Sequence, residues 1–414
     1  MAFNTAAYLE KWEAINDKMR DSHFLWGSLF HDGEWNQYMS LDVYKIQQNQ
    51  WDILKIASTE ICQVLQTTYN IIYNNTEYLL QLGLPESALD LITVESDYFS
   101  DFIRLDLVIN NNEIKILEIN SDTPSGWVEG SIANRILCEE IGCVSPNNLE
   151  QLVEQAWRKI LQKYQIQESE TIYFTAYNWH DEDRETTQFF RRHCPHKRTE
   201  FVEIGKIIVT ENGVYSPTGA PIRFLYRLYP LEYLDEDVDA THQPIGRWLT
   251  RHIVEGRIKI INPPSAFIMQ SKAVMALIYQ LFLEHSPLFS NEEHRIIEQY
   301  FLPTYFNPSI FIEQNQAFVA KPLWGREGGG VTIYDKNQRV IQEDRTLYYY
   351  EQPKIYQQFT PLPKLTVGTW DGDYEGHLLT GVFVVQGEPA GVLLRIGEPI
   401  IGNLSMFCGI AIEN

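Results

Sequence analysis

The sequence predicts an α/β (α+β) protein with a helical N-terminal part, and three observations carry that expectation. Residues 41 to 82 place apolar side chains at three- and four-residue spacings, residues 98 to 120 switch to strand-like runs around a polar turn, and the remainder alternates strands with helices. Of the 414 residues, 44% are hydrophobic and 21% charged, which is ample material for buried cores. A length of about 100–200 residues per domain then gives two or three folding units.

The helical stretch is marked by Val43, Ile46, Trp51, Leu54, Ala57, Ile61, Val64 and Leu65. Next come two strands, Phe102 to Ile109 and Ile114 to Ile119, joined by the turn Asn110-Asn111-Asn112-Glu113. A helix is expected from Asn148 to Tyr164, an apolar strand from Thr171 to Tyr177, and a charged helix opening at His180-Asp181-Glu182-Asp183-Arg184. Ala273 to Leu283 and Glu292 to Tyr300 read as helices. Ala317 to Lys321, Val331 to Tyr334, Lys354 to Phe359, Leu379 to Val385 and Ala390 to Arg395 read as strands. The expected organisation is a helical subdomain over residues 1–95, a central α/β region with a hairpin and a substrate part over 96–265, and a nucleotide-binding and lid region over 266–414.

Thirty-three Lys and Arg residues against 55 Asp and Glu give a formal charge of −22. Such a surplus opposes approach to nucleic-acid phosphate or an anionic membrane. No apolar run reaches the roughly 18 residues of a membrane-spanning helix. Met1 to Trp12 lacks the basic start and apolar stretch of a signal peptide, so the expected location is cytoplasmic, without nucleic-acid or membrane partners. Five scattered cysteines without a CxxC indicate neither a disulfide framework nor zinc.

Chemistry concentrates in four stretches. With the hairpin turn centred on Asn112, Asp106 lies opposite Glu118 and Arg104 opposite Asn120, and side chains two apart on a strand share a face. Carboxylates directly opposite one another need water, a shared proton or a cation. Asp106, Glu118 and the Asn120 amide oxygen suit Mg²⁺, which takes a few protein oxygens together with phosphates and water. A solvated face on which Arg104 neutralises Asp106 is the plainer alternative. The second stretch, Lys321 to Val331, ends a strand on a lysine and runs into a loop with four glycines in six positions. Glycines let backbone N–H groups approach an anion, and the lysine adds a point charge for phosphate. A glycine-rich hairpin without function competes with that reading.

The third stretch, Pro353 to Phe359, suits a strand whose edge meets a purine, and is equally an ordinary strand. Arg395, closing the strand Gly391 to Arg395, is suited to clamp an anion, or to pair with a surface acid. GxxxxGK[ST], GxSxG, HExxH, strand-associated GxGxxG and HRD patterns are all missing from the sequence.

Taken together these stretches resemble the glutathionylspermidine synthetase family in its ATP-grasp synthetase part, from roughly Trp35 to Phe407. The resemblance is carried by Arg104-Leu105-Asp106, by Leu117 to Pro124 with Glu129 following, by Glu182-Asp183-Arg184 and by Tyr226 to Glu232. It continues through Ser271-Lys272, Leu302-Pro303, the Lys321-Pro322 glycine loop, Ile355-Tyr356-Gln357 and Arg395. It implies an ATP-grasp fold, permuted as in eukaryotic-type glutathione synthetases, in a stand-alone member without the amidase domain.

The resemblance further implies an ADP-forming carboxylate–amine ligase that joins a peptide-like acid such as glutathione to an amine through an acyl phosphate, using ATP and Mg²⁺. Asp106, Glu118 and Asn120 would bind the metal. Lys272 and Lys321 would contact ATP phosphates, Gly328, Gly329 and Gly330 would form the lid, and Gln357 would lie near adenine. Arg104 and Arg395 would be catalytic, with Ser121, Asp122, Thr123 and Glu129 toward the substrates. A degenerate member that binds nucleotide or peptide without ligation, and a phosphotransferase, are the competing readings.

Overall fold

The structure is a computed structural model and describes residues 5–111, 113–234, 236–344, 349 and 351–413. The turn residue Asn112 lies outside the described residues.

Three sheets organise the chain. The largest has the strand order Met39–Ile46, Met406–Ile412, Glu388–Gly397, Gly372–Val385, Phe102–Asn110, Glu113–Asn120, with Lys364–Thr369 also paired to Gly372–Val385. The hairpin from the first third of the chain therefore forms one end of a sheet whose next strand is Gly372–Val385. A four-stranded parallel sheet runs Lys259–Ile261, Phe224–Arg227, Ile172–Thr175, Thr199–Phe201, with helices between its strands. A five-stranded antiparallel sheet runs Thr304–Tyr305, Lys354–Gln358, Phe318–Pro322, Thr332–Tyr334, Val340–Glu343.

The helix Gln48–Tyr73 forms because Trp51, Leu54, Ala57, Ile61, Leu65, Thr68 and Ile72 recur on one face, which is buried. The Gln50 side chain accepts from the Gln47 N–H at 2.8 Å and so starts it. Burying each such Leu or Ile is worth about 1.5–3 kcal/mol, which outweighs the modest propensity of its β-branched residues. The expected helix over 41 to 82 needs correction at its start. Met39–Ile46 is a strand, paired in parallel with Met406–Ile412, and residues 48 to 73 and 76 to 81 are the helices.

The expected pairs are present, Arg104 opposite Asn120 and Asp106 opposite Glu118, but beside the turn the ladder is offset by one residue, with Asn110 opposite Glu113 and Leu107 opposite Ile116, and a bulge between Asp106 and Leu107 restores the expected pairing. Its base is clipped to the four-stranded sheet by Asn262. That amide donates to the carbonyls of Phe102, Ser121 and Asp122 at 3.0 Å each and accepts from the Phe102 N–H at 3.0 Å. One buried side chain thus satisfies backbone groups of both hairpin strands. No single helix among the described residues is long and apolar enough to cross a membrane. Pro264–Gln270 and Ala273–Leu283, an apolar pair bent by 72°, lie largely in the core.

Candidate functional site

The site forms where one face of the seven-stranded sheet meets the five-stranded sheet. Asp106 lies opposite Gly381, and Arg104 opposite Phe383. A Cβ on Gly381 would come within 3.1 Å of Arg104 Cδ and 3.4 Å of Asp106 Oδ1, so the glycine makes room for this pair. Arg104 then reaches Asp106 with both Nε and Nη2, at 2.7 and 3.0 Å, and its Nη1 donates to the Ser125 carbonyl at 2.9 Å. Asn120 Nδ2 donates to the same carboxylate at 3.0 Å. Burial disfavours the Arg104 charge, but the adjoining Asp106 more than offsets it and raises the guanidinium pKa further.

Lys272 precedes the helix Ala273–Leu283, held by its N–H to the Leu323 carbonyl at 3.0 Å. Its ammonium lies 2.8 Å from Glu118 Oε1 and donates to the Gly325 carbonyl at 2.5 Å. Lys321 donates to the Leu117 carbonyl at 2.9 Å and to Gln357 Oε1 at 2.7 Å. Burial pushes the Lys321 ammonium down to about 8, against the pull of Glu118. Burial also opposes charge on Glu118, yet Lys272 and Lys321 outweigh it and hold that carboxyl below its usual range.

A cavity of about 140 Å³ lies here, lined by Asp106, Glu118, Asn120, Lys321, Gly328, Gln357 and Arg395, with apolar walls from Val319, Ile333 and Leu379. The glycine loop covers it. Gly328 has φ +78°, and a Cβ there would meet Ile400 at 2.7 Å, so only glycine passes this close to the 400–401 segment. Arg326, in the same loop, pairs with Glu232 at 2.6 Å and donates to Thr123 Oγ1 at 3.1 Å.

Beyond Arg104 and Arg395 a second chamber of about 280 Å³ contains Thr123, Glu129, His180, Glu182, Tyr38 and Arg326. The two share Arg104, Glu118, Asn120, Glu327 and Arg395 in their walls. Arg395 donates from Nη2 to the Gly402 carbonyl at 2.6 Å, while its Nε is buried without a partner. Burial, then repulsion from Glu129 and Asp183, pushes the Glu182 carboxyl up to about 7. The hydrogen bond to Asp183 pushes His180 up to about 9.

Asp106, Glu118, Asn120, Lys321, Gly328, Gln357 and Arg395 are brought together, with Arg104 and Lys272 beside them. Gly329 and Gly330 sit in the covering loop. Thr123 and Glu129 face the second chamber. Ser121 and Asp122 do not face either chamber. Ser121 is fully buried and donates to the Ala266 carbonyl at 2.7 Å, and Asp122 holds Arg227 at 2.5 and 3.1 Å inside the wall. The two follow the hairpin strand into the junction with the four-stranded sheet, so they brace the site from behind.

Among the described residues no three His, Cys, Asp or Glu side chains cluster as a metal site. The candidate set is instead two carboxylates and an amide. Asn120 gives its N–H to Asp106, which leaves its oxygen as an acceptor. Two carboxylates and one neutral oxygen bordering a cavity beside two buried lysines fit Mg²⁺, which keeps much of its shell for other oxygens and water. His180, Glu182, Tyr38, Trp26 and the Arg326–Glu232 pair were not assigned from sequence. Glu182 and Glu232 lie within the family-like strings, which is the only sequence signal that singles them out.

The family model described as glutathionylspermidine synthase preATP-grasp matches residues 8–413. A Haemophilus influenzae protein named "Putative acid--amine ligase" is 26% identical over 316 residues, spanning 73% of this chain and 72% of its own. The solved apo structure of a glutathione synthetase-like effector from Globodera pallida covers 99% of this chain and 98% of its own, with TM-score 0.61 at 10% identity. That likeness speaks for fold: the chain has the mixed α/β, ATP-grasp-type architecture of glutathione synthetase-like proteins.

Proposed function

This chain belongs to the glutathionylspermidine synthase preATP-grasp family, and from that membership and the geometry of the cavities we propose that it is an ATP-dependent acid–amine ligase that forms an acyl phosphate and ADP. The observation that carries the reading is the meeting of Arg104, Arg395, Glu118 and Asn120 in the wall common to two chambers. One chamber has lysines beneath a glycine loop, and the other adds Glu129 and Glu182 to the arginines of that common wall.

Lys321 and Lys272 hold the phosphates of ATP, and the apolar walls beside Gln357 take the base. Asp106, Glu118 and Asn120 would hold Mg²⁺, which when bound neutralises phosphate charge. The acid substrate presents its carboxylate between Arg104 and Arg395. Their guanidinium groups spread the negative charge that grows as the carboxylate oxygen attacks the γ-phosphorus. The Gly328–Gly330 loop excludes water, because an acyl phosphate open to solvent hydrolyses instead of meeting an amine. The amine then attacks the acyl carbon, the C–O bond to phosphate breaks, and an amide and inorganic phosphate result. A peptide-like acid such as glutathione is the proposed acid class, in keeping with the family.

Hydroxylamine trapping tests the reading. With ATP, Mg²⁺ and a panel of peptide acids including glutathione, a hydroxamate should accumulate in step with ADP and fall at least 100-fold in Arg395→Ala. A stable phosphoester would make the protein a phosphotransferase. ATP binding with no ADP from any acid would make it a non-ligating member.

A further inference from the structure

The helix Asn134–Ile141 stops at Gly142, whose φ of +68° turns the chain back through the left-handed region. The Cys143 N–H donates to the Cys138 carbonyl at 2.9 Å, and the Gly142 N–H to the Glu139 carbonyl at 3.3 Å. In a helix stop with these two bonds, the residues at the ends of the longer one set their side chains against each other. Here both of those residues are cysteines, and both thiols are free. A 2.9 Å bond between the main chains also keeps the two Cα atoms within the separation of about 4.4–6.8 Å that a disulfide spans.

The two thiols have unequal surroundings. Cys138 is buried and donates to the Ile410 carbonyl at 3.3 Å, and burial, then the neighbouring Cys143 and Glu139, push its thiol up to about 11. Cys143 is half-buried, and of the five cysteines it is the only one that is not buried. A solvent-borne reagent therefore meets Cys143 first, with Cys138 directly behind it. The fold tolerates the loss of the Cys138 S–H. The Ile410 carbonyl keeps the Asn134 Nδ2 donor at 3.1 Å, and the Ile410 N–H keeps Asn134 Oδ1 at 2.7 Å, so no buried backbone group is stranded. The next residue, Val144, is already clipped to the strand Met406–Ile412 by the Ile412 N–H at 2.8 Å.

We propose that Cys143 and Cys138 form a reversible oxidation site, in which a hydroperoxide attacks through Cys143 and Cys138 resolves the product to a disulfide across the helix end. The Cys143 thiol gives up its proton to water, and its sulfur attacks one peroxide oxygen. The S–O bond forms as the O–O bond breaks, and the hydroxide released takes up a proton. The Cys138 sulfur then displaces hydroxide from the sulfenic acid: the S–S bond forms, the S–O bond breaks, and the Cys138 proton leaves with that hydroxide as a second water. The two sulfurs together lose two electrons, which the peroxide gains. A dithiol reductant reverses the change. The bond closes a short ring over a turn that the backbone already makes, so it needs no rearrangement of the helix or of the strand behind it.

Both cysteines fall on one tryptic peptide, Ile136 to Arg158, so mass spectrometry reads the pair directly. The full-length folded protein is treated with hydrogen peroxide, then unfolded and alkylated with iodoacetamide. The expected product is this peptide about 2 Da lighter than its dithiol and carrying no alkyl group, with two alkyl groups restored after dithiothreitol. The pair should disappear at least about tenfold faster than Cys62, Cys194 and Cys408, which are buried. In Cys138→Ser, Cys143 should stop at a sulfenic acid that dimedone labels, and in Cys143→Ser the Cys138 thiol should remain open to alkylation. Cys143 is half-buried, so its serine variant serves even where Cys138→Ser does not fold. A pair that stays fully alkylatable, Cys143 joined to another peptide, or oxidation of Cys138 at an unchanged rate in Cys143→Ser would overturn the site.

Discussion

The two chambers handle charge in opposite ways. Around the smaller one Arg104 is matched to Asp106, Lys272 to Glu118 and, at its loop, Arg326 to Glu232. In the larger one Glu129 and Glu182 make no ion pair among the described residues, although Arg104, Arg326, Arg395 and His180 also line it. A matched wall is stable without its ligand and must exchange partners to bind; an unmatched wall costs free energy until the ligand arrives. On the proposed ligase reading the smaller chamber meets phosphates, anions that can take over a cation from a carboxylate.

The largest expected effect lies behind the matched wall, at an ion pair that lines neither chamber. Asp122→Ala should strand the Arg227 guanidinium, which is only 2% exposed, and lower folding stability by about 3–5 kcal/mol in urea denaturation. A loss under 1 kcal/mol would show that packing, not charge matching, holds that wall. Next, Lys272→Met removes a cation proposed to contact phosphate and leaves Glu118 short of a partner. ADP affinity in the presence of Mg²⁺ should fall roughly 10- to 100-fold by calorimetry, or about 1.4–2.8 kcal/mol. Unaltered affinity would remove Lys272 from the nucleotide site.

The smallest effect sharpens the unmatched end. The Glu182 carboxyl titrates near 7 when folded against an ordinary 4.5. The folded state therefore retains a proton that the unfolded chain has already released. Stability from this group is present below about 4.5, declines as pH rises and is gone above about 7. Glu182→Gln should consequently raise the melting free energy on the order of 1 kcal/mol at pH 8 and leave it unchanged at pH 4. Equal effects at the two pH values would mean that the carboxylate is not under strain.

The smaller chamber is the more legible of the two in the sequence. The polar turn and the two-residue period of a strand are local and make the hairpin legible, but the pairing of Asp106 with Glu118 rests on a bulge next to Asp106 that no local pattern announces. The strand Met39–Ile46 was hidden because Val43 and Ile46 also fit the three- and four-residue spacing of the helix that follows. Its partner, Met406–Ile412, lies more than 360 residues on, beyond any local pattern. Asp122 shows the limit of motif strings: adjacent to Thr123, which lines a chamber, it turns inward to Arg227. The hydrogen bonds that Trp26 and Tyr38 donate to Glu129 were unreadable for the same reason, since these residues meet only through the fold.

The contact between Lys272 and Glu118 has a further consequence. A single carboxylate oxygen is claimed by the chain's own lysine, and the proposed metal site needs that same carboxylate. A divalent cation arriving alone must displace the ammonium, and a nucleotide arriving alone must draw it away from its counter-charge. Arriving together, each provides what the other dislodges, so their affinities are linked reciprocally through one side chain. On the proposed reading Lys272 is a placeholder at Glu118, and its displacement would make the binding of the two ligands cooperative.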